Sequence, residues 1–448
     1  LPHRFPDSPV FYRHLARDYP LIVRGEGCWL IDEQGKRYLD GVGGAFVANL
    51  GHGVAEIGEA MARQAASIAY VNGTAFTNAA VEALAARLTA LTPGYDLAYV
   101  LGSGSEAVEA ALKLARQHWV ERGRPNKHKV IALSPSYHGN TMLALSAGAR
   151  EHYRRFWQQW MIDIVKVPAP YGYRCGCNGE LDCPVCTGTV LEEVIAREGA
   201  ETIAAFIAEP VGGSSTGANV PRETYYRTLR AICDRHELLF IADEVLCGAG
   251  RTGTWTALEA WGVTADVTVL GKGISGGYAP VSAVLTRRDI VEPLACGTGY
   301  LMHAQTFSHH AVTCAAAVAA LEYLDRHRLV ERCAAIGPFF QETLRGMSEC
   351  PAVGDVRGRG LLAGIEFVAD KSTTAPFDRS LKFAETFTEA ALAEGLTVWP
   401  NVGHADGTRG DLVCLAPPFV IREDEIGELD ARLRAALSAT TRRLGIPR

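Results

Sequence analysis

The sequence predicts an α/β fold in which a mostly parallel sheet is covered by helices on both faces. Three observations carry this. From about residue 98, short apolar runs alternate with stretches of helical periodicity. The runs are nearly continuously apolar, as in AAFIA and LLFIA, which is how strands buried on both faces read. The chain has 448 residues, 48% hydrophobic and 21% charged, enough apolar material for a large core spread over two or three lobes.

Each element follows in order. GEGCWLIDEQGKRYLDG has an aromatic-rich run, a polar turn at Asp32–Gly35 and a second short apolar run, a hairpin in a small N-terminal lobe. A Gly-rich bend, GVGGAFVANLGHG, comes next. Residues 53–69 and 78–91 have helical periodicity, the latter through Val81, Leu84, Leu88 and Leu91. LAYVL is then a strand and EAVEAALKLARQHWV a helix. HKVIALS and AAFIAEP are strands, ETYYRTLRAICDRHE is a helix, and LLFIADEV, VTVLGKG and SAVLTR are further strands. AAAVAALEYLDRHRLVERCAAIGPFFQETLRGM reads as one long helix leading into another lobe. That lobe holds GRGLLAGIEFVAD, a helix at 380–394, LTVWP, DLVCLAPPF and a final helix from Glu423. There is no internal repeat and no low-complexity tract.

The composition excludes several classes. A net charge of -6 gives no global pull towards nucleic acid or anionic membrane. No stretch approaches the roughly 20 apolar residues of a membrane-spanning helix. LPHRFPDSPV has no apolar signal-peptide core, and the chain begins without Met, so a lost presequence stays open. Most of the twelve cysteines stand singly between apolar or small residues, as Cys233 and Cys247 do. They read as reduced, buried thiols in a cytoplasmic protein. The exception is the insert CGCNGELDCPVCTG at 175–188. Its Cys175, Cys177, Cys183 and Cys186 have the spacing to offer four thiolates to one zinc ion, and Gly176, Asn178, Gly179 and Pro184 suit the turns of a knuckle. A disulfide and free thiols are the other readings.

In an open parallel sheet, ligands bind beyond the carboxyl ends of the strands. Here those ends carry Gly102-Ser103-Gly104-Ser105, Tyr137-His138-Gly139, Glu209-Pro210, Asp243-Glu244 and Gly271-Lys272-Gly273. The Gly-Ser turn opens a helix, whose free N–H groups, with a hydroxyl from Ser103 or Ser105, suit a phosphate; ordinary helix capping is the competing use. It lacks the Lys-Ser/Thr pair of a Walker loop and the spacing of a dinucleotide fingerprint. Lys272 is either a surface lysine between chain-turning glycines or the amine that forms a Schiff base with an aldehyde cofactor. Asp243 is a cap or salt-bridge residue, or the partner of a pyridinium nitrogen. A lysine, an acid and a phosphate cradle on one rim are the contacts pyridoxal phosphate (PLP) requires. Tyr137 stacks on such a ring or packs in the core. Glu209 anchors a hydrogen-bond network or precedes a structural turn. Thr306, in HAQTFSHH, is otherwise a plain helix cap.

With these residues in place, the chain resembles the class III aminotransferases, PLP enzymes of fold type I. The matching stretches include SGSEAVEAALKLAR, SYHGNT, IAEPVGGSSTG, IADEVLCGAGRTG, LGKGISGGYAPVSAV, TFSHHAV, GDVRGRGLLAGIEF and APPFVIREDEI, and they cover nearly the whole chain in the family's order. The resemblance implies a large PLP-binding domain at 53–320 and a smaller α+β lobe built from 1–52 and 321–448. It implies that Lys272 holds the cofactor and carries a proton between the substrate α-carbon and C4′, and that Asp243 binds the ring nitrogen. Val245 and Tyr137 would pack on the two ring faces, with His138 also at the cofactor. Gly104 and Ser105 would bind the phosphate. Thr306 would reach the phosphate of the partner subunit in a homodimer, or in a tetramer built from it. Glu209 would support the network and help position a mobile arginine, for which Arg409 is the candidate; a solvent-facing loop arginine is the alternative. Phe46 matches an aromatic of the substrate pocket in the amine:pyruvate branch. The implied reaction moves an amino group from a primary amine or ω-amino acid to an oxo acid in two half-reactions through pyridoxamine phosphate, with pyruvate favoured. A 2-oxoglutarate-dependent ω-amino-acid enzyme is the alternative, and a PLP-dependent decarboxylase or aminomutase a further one. The family carries a cysteine-bearing loop near 175–188 without a metal role, so the resemblance implies no metal. His309-His310 departs from the family's small residue or Asn followed by Pro.

Overall fold

Among the residues that the computed structural model describes, 3–177 and 179–446, seven strands form the central sheet. Asn178, one of the knuckle residues named above, lies outside them. The strand order is Leu97–Leu101, Ser282–Thr286, Val267–Leu270, Leu239–Asp243, Ile203–Ala208, Lys129–Ser134 and Val165–Pro168. Every pairing is parallel except the two made by Ser282–Thr286. The carboxyl ends of the parallel strands therefore share one edge.

The continuously apolar runs have a simple cause. Every residue of Ile203–Ala208 and of Leu239–Asp243 is buried. Phe206 and Phe240 face one core with Leu229 and Cys233 of the helix Tyr225–Arg235. Ile207 and Ile241 face the other, with Val108 and Ala111 of the helix Gly104–Glu121. With both faces covered, no position favours a polar side chain.

The chain ends build the smaller part together. Ile22–Glu26, Trp29–Asp32 and Arg37–Asp40 form antiparallel pairs, and Leu396–Thr397 pairs with Arg37–Asp40 in parallel. A second antiparallel sheet runs Val353–Arg359, Leu362–Phe367, Asp411–Leu415, Trp399–Val402. One apolar core joins Cys28, Leu39 and Leu50 to Phe340, Phe387 and Leu433. No helix among the described residues is long and apolar enough to cross a membrane.

One expected element is corrected. The stretch read as a single long helix is two, Ala311–Arg326 and Leu329–Arg345. Arg328 between them has φ 50, in the left-handed region. That conformation costs a non-glycine residue on the order of 1 kcal/mol. Burial of Leu329 and Cys333 in the core offsets it. The apolar periodicity runs across the break, so the pattern alone does not reveal it.

A buried acid ties the parts together. Glu366, on Leu362–Phe367, accepts from the Tyr171 hydroxyl and from Arg174 Nε at 2.6 Å. Arg357 Nη2 lies 2.9 Å and His404 Nε2 3.0 Å from its carboxylate. Burial alone would raise this carboxyl, but Arg357, His404 and Arg174 hold it well below the usual carboxylate range. Removing one partner of a buried ion network leaves an uncompensated charge, at about 3–5 kcal/mol. Glu366→Ala should therefore lower unfolding free energy by about that much in denaturant titration. A loss under about 1 kcal/mol would mean that solvent reaches Arg357 and Arg174.

Candidate active site

The strand ends converge on one cavity, lined by Ser103, Gly104, Ser105, Tyr137, His138, Gly139, Glu209, Asp243, Val245, Leu246 and Lys272. Lys272 follows the strand Val267–Leu270 with φ 44, a left-handed backbone that a lysine rarely adopts. It turns between glycines for a reason: a Cβ on Gly273 would meet Asn49 Nδ2 at 2.8 Å. The lysine is half-buried, and its side chain opens on the cavity. Burial lowers its pKa, and Asp243 and Glu209 oppose that shift.

Asp243 ends the neighbouring strand and is buried. His138 Nδ1 stands 2.7 Å from its Oδ2, and the Val245 N–H donates to its Oδ1 at 3.1 Å. The adjacent Glu244 turns away and accepts from the N–H groups of Ala257 and Leu258 at 2.8 and 3.0 Å. Burial pushes its carboxyl up to about 7. So only the first acid of the Asp-Glu pair faces the cavity. Glu209 accepts from the N–H groups of Tyr137 and Gly213, both at 3.0 Å. Burial raises its pKa, His138 opposes, and Asp243 adds to the rise.

The helix Gly104–Glu121 points its N-terminus into the same cavity. Ser103 is its N-cap, its Oγ accepting from the Glu106 N–H at 3.3 Å. The capping reading of Ser103 thus holds alongside its place on the cavity wall. The N–H groups of Gly104 and Ser105 open the helix and have no intrahelical acceptor. The turn is tight: a Cβ on Gly104 would meet Val245 Cγ1 at 2.9 Å, and one on Gly139 would meet Ser105 Oγ at 2.5 Å. Free amides at a positive dipole end, a buried carboxylate oriented by an imidazole, and an amine whose pKa burial lowers fit a phosphorylated pyridine aldehyde.

Three expected residues lie elsewhere. Thr306 is exposed in the loop before the helix Ala311–Arg326. Phe46 is buried, with φ 65, its ring 5.6 Å from that of Trp399. Arg409 is exposed, its Nε 2.7 Å from Asp406 Oδ2 and its N–H bonded to Asp406 Oδ1. None of the three lines the cavity in this chain.

One side chain was missed. Arg150 is buried at 8% exposure, its guanidinium 4.5 Å from the Tyr153 ring centre and 5.7 Å from that of Tyr137. It donates to Ser214 Oγ at 3.1 Å and to Asn401 Oδ1, and its Nε has no partner among the described residues. Burial lowers its pKa. In the sequence it precedes Arg154 and Arg155 in a polar stretch, with nothing to single it out.

The aminotransferase class-III family matches residues 13–437. The diaminobutyrate–2-oxoglutarate transaminase of Halomonas elongata is 33% identical, covering 94% of this chain and 90% of its own. The putrescine–pyruvate aminotransferase of Pseudomonas aeruginosa is 33% identical, covering 98% of this chain and 94% of its own. The structure of an ω-transaminase from Pseudomonas jessenii in complex with PMP superposes with a TM-score of 0.90 at 30% identity, over 98% of both chains.

The tight turn makes a prediction. Gly139→Ala, whose Cβ would press on Ser105, should weaken PLP binding to the apoprotein at least about tenfold, the equivalent of 1.4 kcal/mol. Unchanged affinity in a fluorescence titration would remove this turn from the cofactor site.

Proposed function

The chain belongs to the class III aminotransferases and is a PLP-dependent transaminase, and we propose that it moves an amino group from a primary amine or ω-amino acid to pyruvate. One observation carries the site reading: Lys272, Asp243 and the N-terminus of Gly104–Glu121 open on a single cavity. When bound, PLP supplies a ring that takes up the electron pair left as the substrate α-carbon loses its proton.

The residues divide the remaining work. Lys272, which opens on the cavity, is the residue that would hold the cofactor through its Nζ. Burial lowers its pKa and so favours the neutral Nζ that would take the α-proton and return it. Asp243, oriented by His138 and the Val245 N–H, would hold a proton on the ring nitrogen. The amides of Gly104 and Ser105 bind the phosphate, with Ser103 closing the turn. Val245 and Tyr137 pack on the ring. Glu209 steadies the Tyr137 backbone and the turn at Gly213. Phe46 shapes the substrate side through its contact with Trp399.

The acid acceptor needs a cation. Arg150, buried beside Tyr137 with an unpaired Nε, is the fixed one in this reading. Arg409, whose guanidinium is paired with exposed Asp406, is the arm that swings. Pyruvate is supported by the amine:pyruvate resemblance and by the putrescine–pyruvate relative. The diaminobutyrate relative supports 2-oxoglutarate as the rival acceptor.

We further propose a homodimer in which Thr306 reaches the phosphate of the partner subunit. Exposed Tyr300, Met302 and Phe307 around Thr306, with Tyr70 packed on Phe307, give the apolar surface such an interface needs. The lobes are divided as 1–52 with 321–448, and 53–320, a reading supported by the core that joins Leu39 to Leu433. Cys233 and Cys247, buried singly in the core, support the reading of reduced thiols and a cytoplasmic setting.

The deciding experiment is an amine-donor panel run against pyruvate and 2-oxoglutarate, with oxo product and CO₂ both measured. Pyruvate should be used at least about tenfold better than 2-oxoglutarate. Preference for 2-oxoglutarate would replace the acceptor assignment, and dominant CO₂ release would replace transamination by decarboxylation. Arg150→Ala and Arg409→Ala should each lower kcat/KM for pyruvate roughly 10- to 100-fold, the loss of a charge-assisted hydrogen bond. Turnover of a neutral aldehyde should change little; equal losses would deny the arginine in question its carboxylate role. Neutral Lys272 is the active form, so α-proton transfer should speed up as pH rises through a pKa below the usual lysine value. Single-turnover rates across pH check this, and a rising limb at or above roughly 10.4 would contradict it.

A further inference from the structure

The loop between the strand Val165–Pro168 and the helix Val190–Glu198 plays no part in the chemistry above, yet it gathers four thiols at one point. Cys175 Sγ lies 3.4 Å from Cys183 Sγ, and Cys177 Sγ lies 3.6 Å from Cys186 Sγ. All four sulfurs fall within 4.8 Å of one another. Four thiolates around zinc at about 2.3 Å stand on a tetrahedron whose edge is about 3.8 Å. The cluster therefore has the size of a zinc tetrahedron. Two separate disulfides would need each pair to meet, but not the two pairs to share one centre.

We propose that Cys175, Cys177, Cys183 and Cys186 bind one structural zinc ion. The backbone is shaped for it. Gly176, Gly179 and Gly188 turn the chain with φ 73, 86 and 86. Pro184 starts the short helix Pro184–Thr187 directly after Cys183. A zinc bound by four thiolates carries two net negative charges, and Arg222, Arg345 and Arg357 line the cleft beside Cys186.

Arg222 donates to the Glu180 carbonyl at the tip of the loop. Leu181 is 88% exposed, so the segment has scant apolar core of its own. Its two stems are anchored: Arg174 donates to Glu366 on one side, and Gly188 sits against Tyr225 and Leu229 on the other. A metal joins the stems across the loop. Four protein ligands leave no open position, so the ion is a staple and takes no part in catalysis.

The test is metal analysis by plasma mass spectrometry on the PLP-loaded enzyme, grown in unsupplemented medium and purified without metal-affinity steps. About one zinc per chain is expected. Alkylation of the native protein should spare these four thiols until a mercurial releases them, with zinc appearing in step. Cys177→Ser combined with Cys186→Ser should lose the metal, and the wild-type stoichiometry decides the matter if that variant does not fold. Zinc below about a tenth per chain, iron in its place, or mass spectra showing oxidised cysteine pairs would each overturn the proposal.

Discussion

A lysine amine and two carboxylates share one buried rim, and much of the architecture serves to make that tolerable. Lys272, Asp243 and Glu209 stand at the ends of adjacent parallel strands, where desolvation penalises every charge. Lys272 responds by moving towards the neutral form, and Glu209 by holding its proton more tightly. Asp243 is held in place by the imidazole of His138 and the N–H of Val245. Lowering the lysine's pKa while keeping an acid fixed 2.7 Å from an imidazole is the division of labour that cofactor-assisted proton transfer requires.

That rim is braced from outside. Glu209 reaches the turn at Gly213, and three residues on, the Thr216 carbonyl accepts from Arg357 Nε at 3.0 Å. Arg357 in turn faces Glu366, the acid that gathers Tyr171, Arg174 and His404 from two further segments. The site is thus joined to the C-terminal sheet by buried, charge-assisted contacts rather than by apolar packing alone. Such contacts are directional and do not slide, unlike a greasy interface. The cysteine knuckle sits at the far end of this chain, next to the stem that carries Tyr171 and Arg174.

The rim was legible in the sequence because it is a local property of each strand. A strand end, a Gly-Ser turn and a helix start are contiguous, and parallel pairing brings such ends to one edge whatever the loops between them do. Arg150 was not legible. Its partner Asn401 is 251 residues away, and its burial depends on rings from Tyr137 and Tyr153. The break at Arg328 was hidden for a related reason: the side-chain period is unchanged across it, and only the core around Leu329 makes the left-handed residue acceptable.

What the sequence by itself determined is the class of the fold, the strand-end residues and the spacing of the four cysteines. These follow from periodicity and short-range chemistry, which a linear string records. Only the tertiary structure decided that Glu244 turns inward while Asp243 faces the cavity, and that Thr306 and Arg409 stand in the open. It alone brings the four sulfurs together around one point. Orientation and convergence arise from contacts between segments far apart in the chain, and no local pattern encodes where those segments meet.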